Sequence, residues 1–260
     1  PWEVSSGNSV VFSPEALQSA DLRISRNQQG IALQTLSPEA ERAAPPLQVR
    51  FEQFRLKEIS KLVGQDTTLL SGRLNAQAKL QPLDTLLQYV VDAQVNDLQL
   101  NGAALGEMEL SLQPGANPKQ LNLSLLLKDP KERLNLMGTY DLEQGALQAN
   151  FSADRLPVAP FGFFTQGAIK ELRGAISAQL KIRGTTDAPL GTGTINADSL
   201  SAFVNYLQTR FTVPNHQIEL TENSIQLGNM SLVDGNNQPA RLSGVIRHEH
   251  FGNIETDLRF

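Results

Sequence analysis

Three histidines, His216, His248 and His250, are the residues in this chain best suited to binding a metal or moving a proton. In His248-Glu249-His250 the imidazoles are two residues apart, which on a strand puts both on one face, a spacing a metal can use. A third ligand would have to come from His216 or a distant carboxylate, and no signature supplies it. His248 and His250 share parity with Ile246, so a strand end where an apolar face gives way to water accounts for them. No metal and no cofactor is expected. Gly191-Thr192-Gly193-Thr194 is similar to a phosphate loop in outline only, because neither a third glycine at the fingerprint spacing nor a Lys-Ser/Thr pair follows. Pro189 before it and Ile195 after it fit the start of a strand better.

The remaining chemistry is thin. There is no nucleophile elbow and no His-Glu-x-x-His motif, and cysteine is absent, which excludes disulfides, thiolate zinc sites and cysteine nucleophiles. The acids alternate with apolar residues, as in Glu107-Met108-Glu109, or sit in turns, a placement that suits a solvated sheet face. No catalytic constellation emerges, and the chain is expected not to be an enzyme.

The elements that would carry these residues are strands. Leu121, Leu123, Leu125 and Leu127 alternate with Asn122, Ser124 and Leu126, and Leu98 and Leu100 alternate with Asp97, Gln99 and Asn101. Met108, Leu110 and Leu112 do the same, as do Leu147, Ala149 and Phe151, then Ile176, Ala178, Leu180 and Ile182, and later Ile218/Leu220, Ile225/Leu227, Met230/Leu232 and Ile254/Leu258. Successive strand side chains point to opposite faces, so each run has one apolar and one polar face. That is the pattern of an antiparallel sheet wet on one side. Turn chemistry separates the runs at Gly102, Pro114-Gly115, Asp129-Pro130, Glu143-Gln144-Gly145, Gly228-Asn229 and Asp234-Gly235-Asn236-Asn237. The spacing predicts roughly twenty short strands, one every 8–12 residues.

Helical spacing is sparse. Leu56, Ile59, Leu62 and Val63 fit a short helix before Gly64, Ser37-Pro38-Glu39 resembles a helix start, and Thr165–Leu172 fits another short helix. Leu200, Ala202, Val204 and Tyr206 alternate and are read as strand. Gly72, Gly138, Gly174 and Gly244 each open an alternating run, and their gaps approximate multiples of 35 residues, as stacked hairpin units would give.

Length and composition set the outer bounds. The 260 residues are 40% hydrophobic with a net charge of −5, enough apolar content to fold. Acidity and the lack of a basic run exclude a nucleic-acid footprint. No stretch reaches the ~18 apolar residues of a membrane span. Pro1-Trp2-Glu3 opens mid-pattern without Met or signal, so the chain is expected to be a segment of something longer, one continuous unit over residues 1–260 with the only candidate subdivision at 1–66 and 67–260.

So many one-sided strands make more apolar face than a few short helices can cover. The sheet must pack on another sheet or curl so that its apolar face lines a trough. Aromatics are only 6%, and the apolar side is mostly Leu, Ile, Val and Ala, fewer aromatics than a sandwich core usually holds, so the trough keeps weight beside the sandwich and composition does not decide between them. The candidate lining residues are Leu98, Leu100, Leu110, Leu112, Leu123, Leu125, Phe151, Leu180, Ile182, Ile195, Leu220, Leu227 and Ile246. The fold class expected is all-β and antiparallel, and the form taken here is an elongated, curled sheet with an apolar concave face and a few short helices. The alternative is a β-sandwich or solenoid that serves the cell envelope as a binding or adhesion module. Trp2, Tyr89, Tyr140 and Tyr206 are too few and scattered for a sugar platform.

The run Leu172-Arg173-Gly174-Ala175-Ile176-Ser177-Ala178-Gln179-Leu180-Lys181-Ile182-Arg183-Gly184-Thr185, followed by Ala188-Pro189-Leu190-Gly191-Thr192-Gly193-Thr194-Ile195, resembles the TamB and wider AsmA-like proteins of Gram-negative bacteria. The stretch from Ile225 and Leu227 through Leu232, Asp234, Asn237, Arg241, Leu242, Gly244, Ile246, His248 and Phe251 resembles the Bacteroidetes-type members, and Leu98, Leu100, Gly102, Leu105, Gly106, Met108 and Leu110 fit as well. The resemblance implies a central periplasmic piece of an inner-membrane-anchored protein, a curled sheet whose apolar groove takes phospholipid acyl chains between the two membranes. It also implies a role in outer-membrane protein assembly, with an Omp85-type outer-membrane partner met through a C-terminal region that this segment lacks, and a membrane anchor only in a missing N-terminal region.

Overall fold

The structure is a computed structural model that describes residues 1–12, 17–36, 45–58, 70–83, 86–129, 131–165 and 167–260. Alternating sequence becomes strand almost throughout. The first strands are β1 (Glu3–Val4), β2 (Ser9–Phe12), β3 (Leu17–Arg26), β4 (Gln29–Thr35), β5 (Leu47–Arg55) and β6 (Leu70–Leu83). Then come β7 (Leu86–Leu100), β8 (Ala103–Pro114), β9 (Gln120–Asp129), β10 (Lys131–Asp141), β11 (Ala146–Pro157) and β12 (Ile169–Thr185). The last are β13 (Pro189–Val204), β14 (Thr209–Thr221), β15 (Ser224–Asp234), β16 (Pro239–Glu249) and β17 (Gly252–Arg259). They form one antiparallel sheet of 17 strands, elongated, curled and not closed into a barrel. From β3 onward each strand pairs with its neighbours in sequence, and β1 and β2 share the outer edge of β3. The strands are fewer and longer than their sequence spacing suggests, up to 17 residues in β12.

One expectation about helix needs correction. A 3-10 helix runs over Ala159–Thr165, and Ile169–Leu172 already belongs to β12, so the helix expected over Thr165–Leu172 is a strand preceded by a tight turn. Residues 37–44 and 59–69, where the other helical signals fall, lie outside the described residues; a helical turn begins at Lys57 and Glu58.

Register fixes which side chains share a face. One cross-strand row reads Ile24, Ile31, Phe51, Ala76, Ala93, Leu110, Leu125, Leu136, Phe151, Leu180, Gly193, Leu220, Ile225, Ile246, one residue from each strand β3 to β16. A flanking row runs from Leu33 and Val49 through Leu112 and Leu123 to Ile182. The other runs from Phe54 and Leu74 through Val95, Met108 and Leu127 to Ile195 and Ile218. None of these residues is charged.

The apolar alternation changes parity at bulges, and two pairs of bulges match. Gln53 and Arg155 both have φ 46°, and Asp97 and Ser199 both have φ 53°, left-handed values that non-glycine residues rarely take. The extra residue at each bulge lets Phe54, Leu98, Leu156 and Leu200 rejoin the face that Phe51, Val95, Ala153 and Ala197 occupy. Supporting contacts match too. The Gln53 N–H donates to Asn75 Oδ1 at 2.9 Å, and the Arg155 N–H to Ser177 Oγ at 3.0 Å. Leu56 N–H donates to the Gly72 carbonyl, and Val158 N–H to that of Gly174, both at 3.1 Å. Every pair in this set is 102 residues apart. The matched devices recur at an interval that spans six strands, β5–β10 and then β11–β16, and equals three spacings of 34 residues, close to the 35-residue spacing of the glycines; Gly106, 34 residues after Gly72, also takes a positive φ, 95°. Gly72 and Gly174 are equivalent at this interval, whereas Gly138 sits in an unbroken ladder.

Hydrophobic burial falls on one face. Leu56, Val95, Leu98, Leu105, Leu127, Ala153, Leu156 and Ala178 form one buried cluster, with Val95 at 1% exposure, and Leu227, Met230 and Leu232 form a second. Among the described residues no second sheet covers them. Among the described residues the 3-10 helix, lying on β12 and reaching β8, and the curl of the sheet itself provide the cover. The total accessible surface is 16072 Å², against about 11,200 Å² for a compact monomer of this mass. The sheet is open.

Candidate functional site

The apolar face is the surface that the fold assembles most deliberately. The register places Leu110, Leu125, Phe151, Leu180, Leu220 and Ile246 in its central row. Leu112, Leu123 and Ile182 stand in one flanking row and Ile195 in the other. Leu98 and Leu100 join beyond the Asp97 bulge, in or against the first buried cluster, and Leu227 lies in the second. All thirteen thus share a face. Leu98, Leu220 and Leu227 are buried and the other ten half-buried.

The face has a gradient along its strands. Towards the bulges it is dense, with Phe54, Leu56, Val95, Leu127 and Leu156 each under 9% exposed. The central row is less covered. Leu125, two residues from buried Leu127 on the same strand, is half-buried, as are Leu110, Leu136, Phe151 and Leu180. The candidate residues omit Ile24, Ile31, Phe51, Ala76, Ala93, Leu136, Gly193 and Ile225 of this row. Ala76 and Ala93 are too small to stand out, but Ala76-Gln77 and Ala178-Gln179, each four residues after an aligned glycine, carried a signal.

One corner is aromatic and charged. Arg26 lies 5.1 Å from the Trp2 ring centroid and pairs with Glu58 at 2.9 Å, while Phe54 stacks on Trp2 and meets Phe51 edge-on. Elsewhere the charges occupy the opposite face, in exposed pairs such as Arg23–Glu52 at 2.8 Å and Lys128–Glu109 at 2.7 Å. Two concavities are also on that polar face. One of 580 Å³ lies between ridges that include Gln77, Asp92 and Ser111 on one side and Asn75, Gln94 and Glu109 on the other. One of 420 Å³ continues the line past Asn150 and Gln179.

The histidines are not brought together on a strand. β16 ends at Glu249, so His250 is in the turn, exposed, with φ 50°. His248 is buried and stacks on Phe251 with ring centroids 4.7 Å apart. Its Nδ1 accepts the Phe251 N–H at 3.4 Å, and its Nε2 has no hydrogen-bond partner among the described residues. His216 Nε2 lies 2.5 Å from the Leu227 carbonyl oxygen, on another strand. The shared face expected for His248 and His250 is therefore wrong, because the β16–β17 turn starts one residue earlier than the alternation suggests. Among the described residues no three His, Asp or Glu side chains are grouped to hold a metal. No described helix is long and apolar enough to cross a membrane.

The sequence matches no protein-family model, no curated protein and no solved structure. The class that the geometry itself defines is a single curled, open, all-antiparallel sheet whose devices recur after 102 residues, with one face uncharged along its central and flanking rows.

Proposed function

We propose that this chain holds phospholipid acyl chains along its apolar face, as a periplasmic groove segment of a TamB-like or AsmA-like envelope protein that supports outer-membrane biogenesis. The observation that carries the reading is the uncharged row that crosses β3 to β16 without a break and without a second sheet over it. Hydrophobic transfer supplies about 0.8 kcal/mol per buried CH₂, spread evenly along interchangeable Leu, Ile, Val and Ala side chains, so a chain can slide without a deep minimum. The family reading adds an Omp85-type partner and a membrane anchor outside this segment, and rests on the sequence runs around Gly174 and Gly244. A second reading, a binding module of the envelope, draws support from the concavities of 580 and 420 Å³ on the polar face.

Photocrosslinking separates the two. A photoreactive residue at Leu125 or Leu180 faces the apolar side, and one at Ser124 or Gln179 the polar side. With the chain expressed in a Gram-negative envelope, labelling of phospholipid from Leu125 and Leu180 alone is expected. Equal labelling from both faces, or none from Leu125 and Leu180, refutes the acyl-chain reading.

A further inference from the structure

Arg55 at the end of β5 stands directly opposite Arg73 of β6. Like charges in direct cross-strand register repel. Arg73 is relieved by an ion pair with Asp97. The Arg55 and Lys57 side chains have no hydrogen-bond or ion-pair partner among the described residues, and both are exposed. Arg55, Lys57, Arg73 and Asp97 surround a hollow of 220 Å³ on the polar face together with Ser71, Gly72 and Gln99. Three cations against one carboxylate leave a local charge of +2 in a chain whose net charge is −5. Another acid, Glu107, lies in the adjoining hollow beyond Asp97.

The fold does not require these cations. Their equivalents 102 residues on are Pro157, Ala159 and Ala175, and the second unit builds the same bulges without them. The repeat thus separates what shapes the sheet, which recurs, from a basic cluster that occurs once and works against its own strand pairing.

We propose that this hollow is a binding site for a phosphate group. Two guanidinium forks and an ammonium offer charge-assisted donors to a tetrahedral oxyanion carrying up to two charges. Gln99 adds its amide N–H groups, because its Oε1 already accepts from Ser71 Oγ at 3.3 Å. The hollow is below the roughly 300 Å³ of an ordinary small-molecule pocket, so the phosphate itself is the recognised part, whether on a lipid headgroup or on a free ester. The site is independent of what the apolar face carries.

The test uses the full chain at an ionic strength fixed with sodium chloride. Inorganic phosphate, glycerol 3-phosphate and short-chain phosphatidylglycerol below its micelle concentration are titrated separately, with calorimetry and thermal unfolding as readouts. Saturable binding and a matching rise in melting temperature are expected. Arg55→Gln and Lys57→Gln each weaken binding about tenfold, the loss of one charge-assisted hydrogen bond. Without phosphate, Arg55→Gln melts at the same temperature as the parent or higher, because the opposed charge is gone. Arg155→Gln, which removes a cation at the equivalent bulge, leaves binding unchanged. Tighter binding of the short-chain lipid than of glycerol 3-phosphate identifies a headgroup as the source, and equal binding a free ester. Absence of saturable phosphate binding, or equal binding by Arg55→Gln and the parent, overturns the proposal.

Discussion

Leu125 and Leu127 lie on the same strand and the same face, two residues apart, and differ in cover: Leu127 is 5% exposed within the first buried cluster, and Leu125 is half-buried in the central row. An aspartate at each position measures whether the row is open. At residue 127 the carboxylate cannot reach water and must take a proton to stay folded, which at pH 7 costs about 4 kcal/mol from its ordinary pKa near 3.9 at 1.36 kcal/mol per unit. Losing the buried leucine adds about 1.5–3 kcal/mol. Together these approach the whole stability of many domains, about 5–15 kcal/mol. At residue 125 the carboxylate turns to solvent, and the cost is about half a leucine burial, ~1–1.5 kcal/mol. A chain of this size loses about 2–4 °C per kcal/mol, so Leu125→Asp should lower the melting temperature by about 2–6 °C and Leu127→Asp by more than about 12 °C. The pH dependence separates them further. A buried aspartate has a folded-state pKa above its unfolded value, so its penalty is present above the unfolded pKa and fades as pH falls towards 4. The Leu127→Asp deficit should shrink on acidification, and the Leu125→Asp deficit should not. Circular dichroism melts at pH 7 and pH 4.5 read both. Equal collapse of the two variants at pH 7 would refute the open row and make this face a closed core.

Further expectations follow from the repeat and from the sheet edges. Gly72→Ala and Gly174→Ala should each cost about 2 kcal/mol or more in denaturant unfolding, because a Cβ would sit 2.8 Å from Val95 Cγ1 or 2.5 Å from the Ser199 carbonyl oxygen at φ 143° and 101°; Gly7→Ala, with nothing within 4 Å, should be neutral. Asn75→Ala and Ser177→Ala should each cost about 1 kcal/mol by removing the acceptor of a bulge N–H, and the two losses should agree because the positions are equivalent. In hydrogen exchange, the amides of β17, exposed along its whole length, should exchange well before those of β12 and β13, the most extensively paired neighbours; protection of β17 equal to that of β12 would contradict an open edge.

The strands, their faces and the all-β class were legible in the sequence because side-chain alternation has a period of two and needs no long-range information. Leu121–Leu127 shows its face in its own seven residues. Residues around a bulge do not. In Phe51-Glu52-Gln53-Phe54 and Val95-Asn96-Asp97-Leu98 the apolar spacing is three, which reads as noise or as helix until the left-handed φ of Gln53 and Asp97 is known. The helix expected over Thr165–Leu172 failed for a related reason. Glu171 takes φ 49°, so Ile169 and Leu172 have helical spacing on a strand. His250 failed because a turn can begin one residue before alternation ends.

The same bulges decide what the apolar face can do. Without them β5, β7, β11 and β13 would turn half their apolar residues to the polar side beyond residues 51, 95, 153 and 197, and the row could not pass into the buried clusters. Each bulge is held by a partner strand that supplies a glycine for close approach, an Asn or Ser acceptor, or both. Because the device recurs after 102 residues, its parts are fold-determining, and a residue that breaks the recurrence stands out. The central row is apolar in both units, so it behaves as a property of the repeated sheet. Arg55, Lys57 and Arg73 have no counterparts in the second unit, so any function they carry is confined to one place on the sheet. A continuous surface and a single charged station are different kinds of site, and the repeat is what tells them apart.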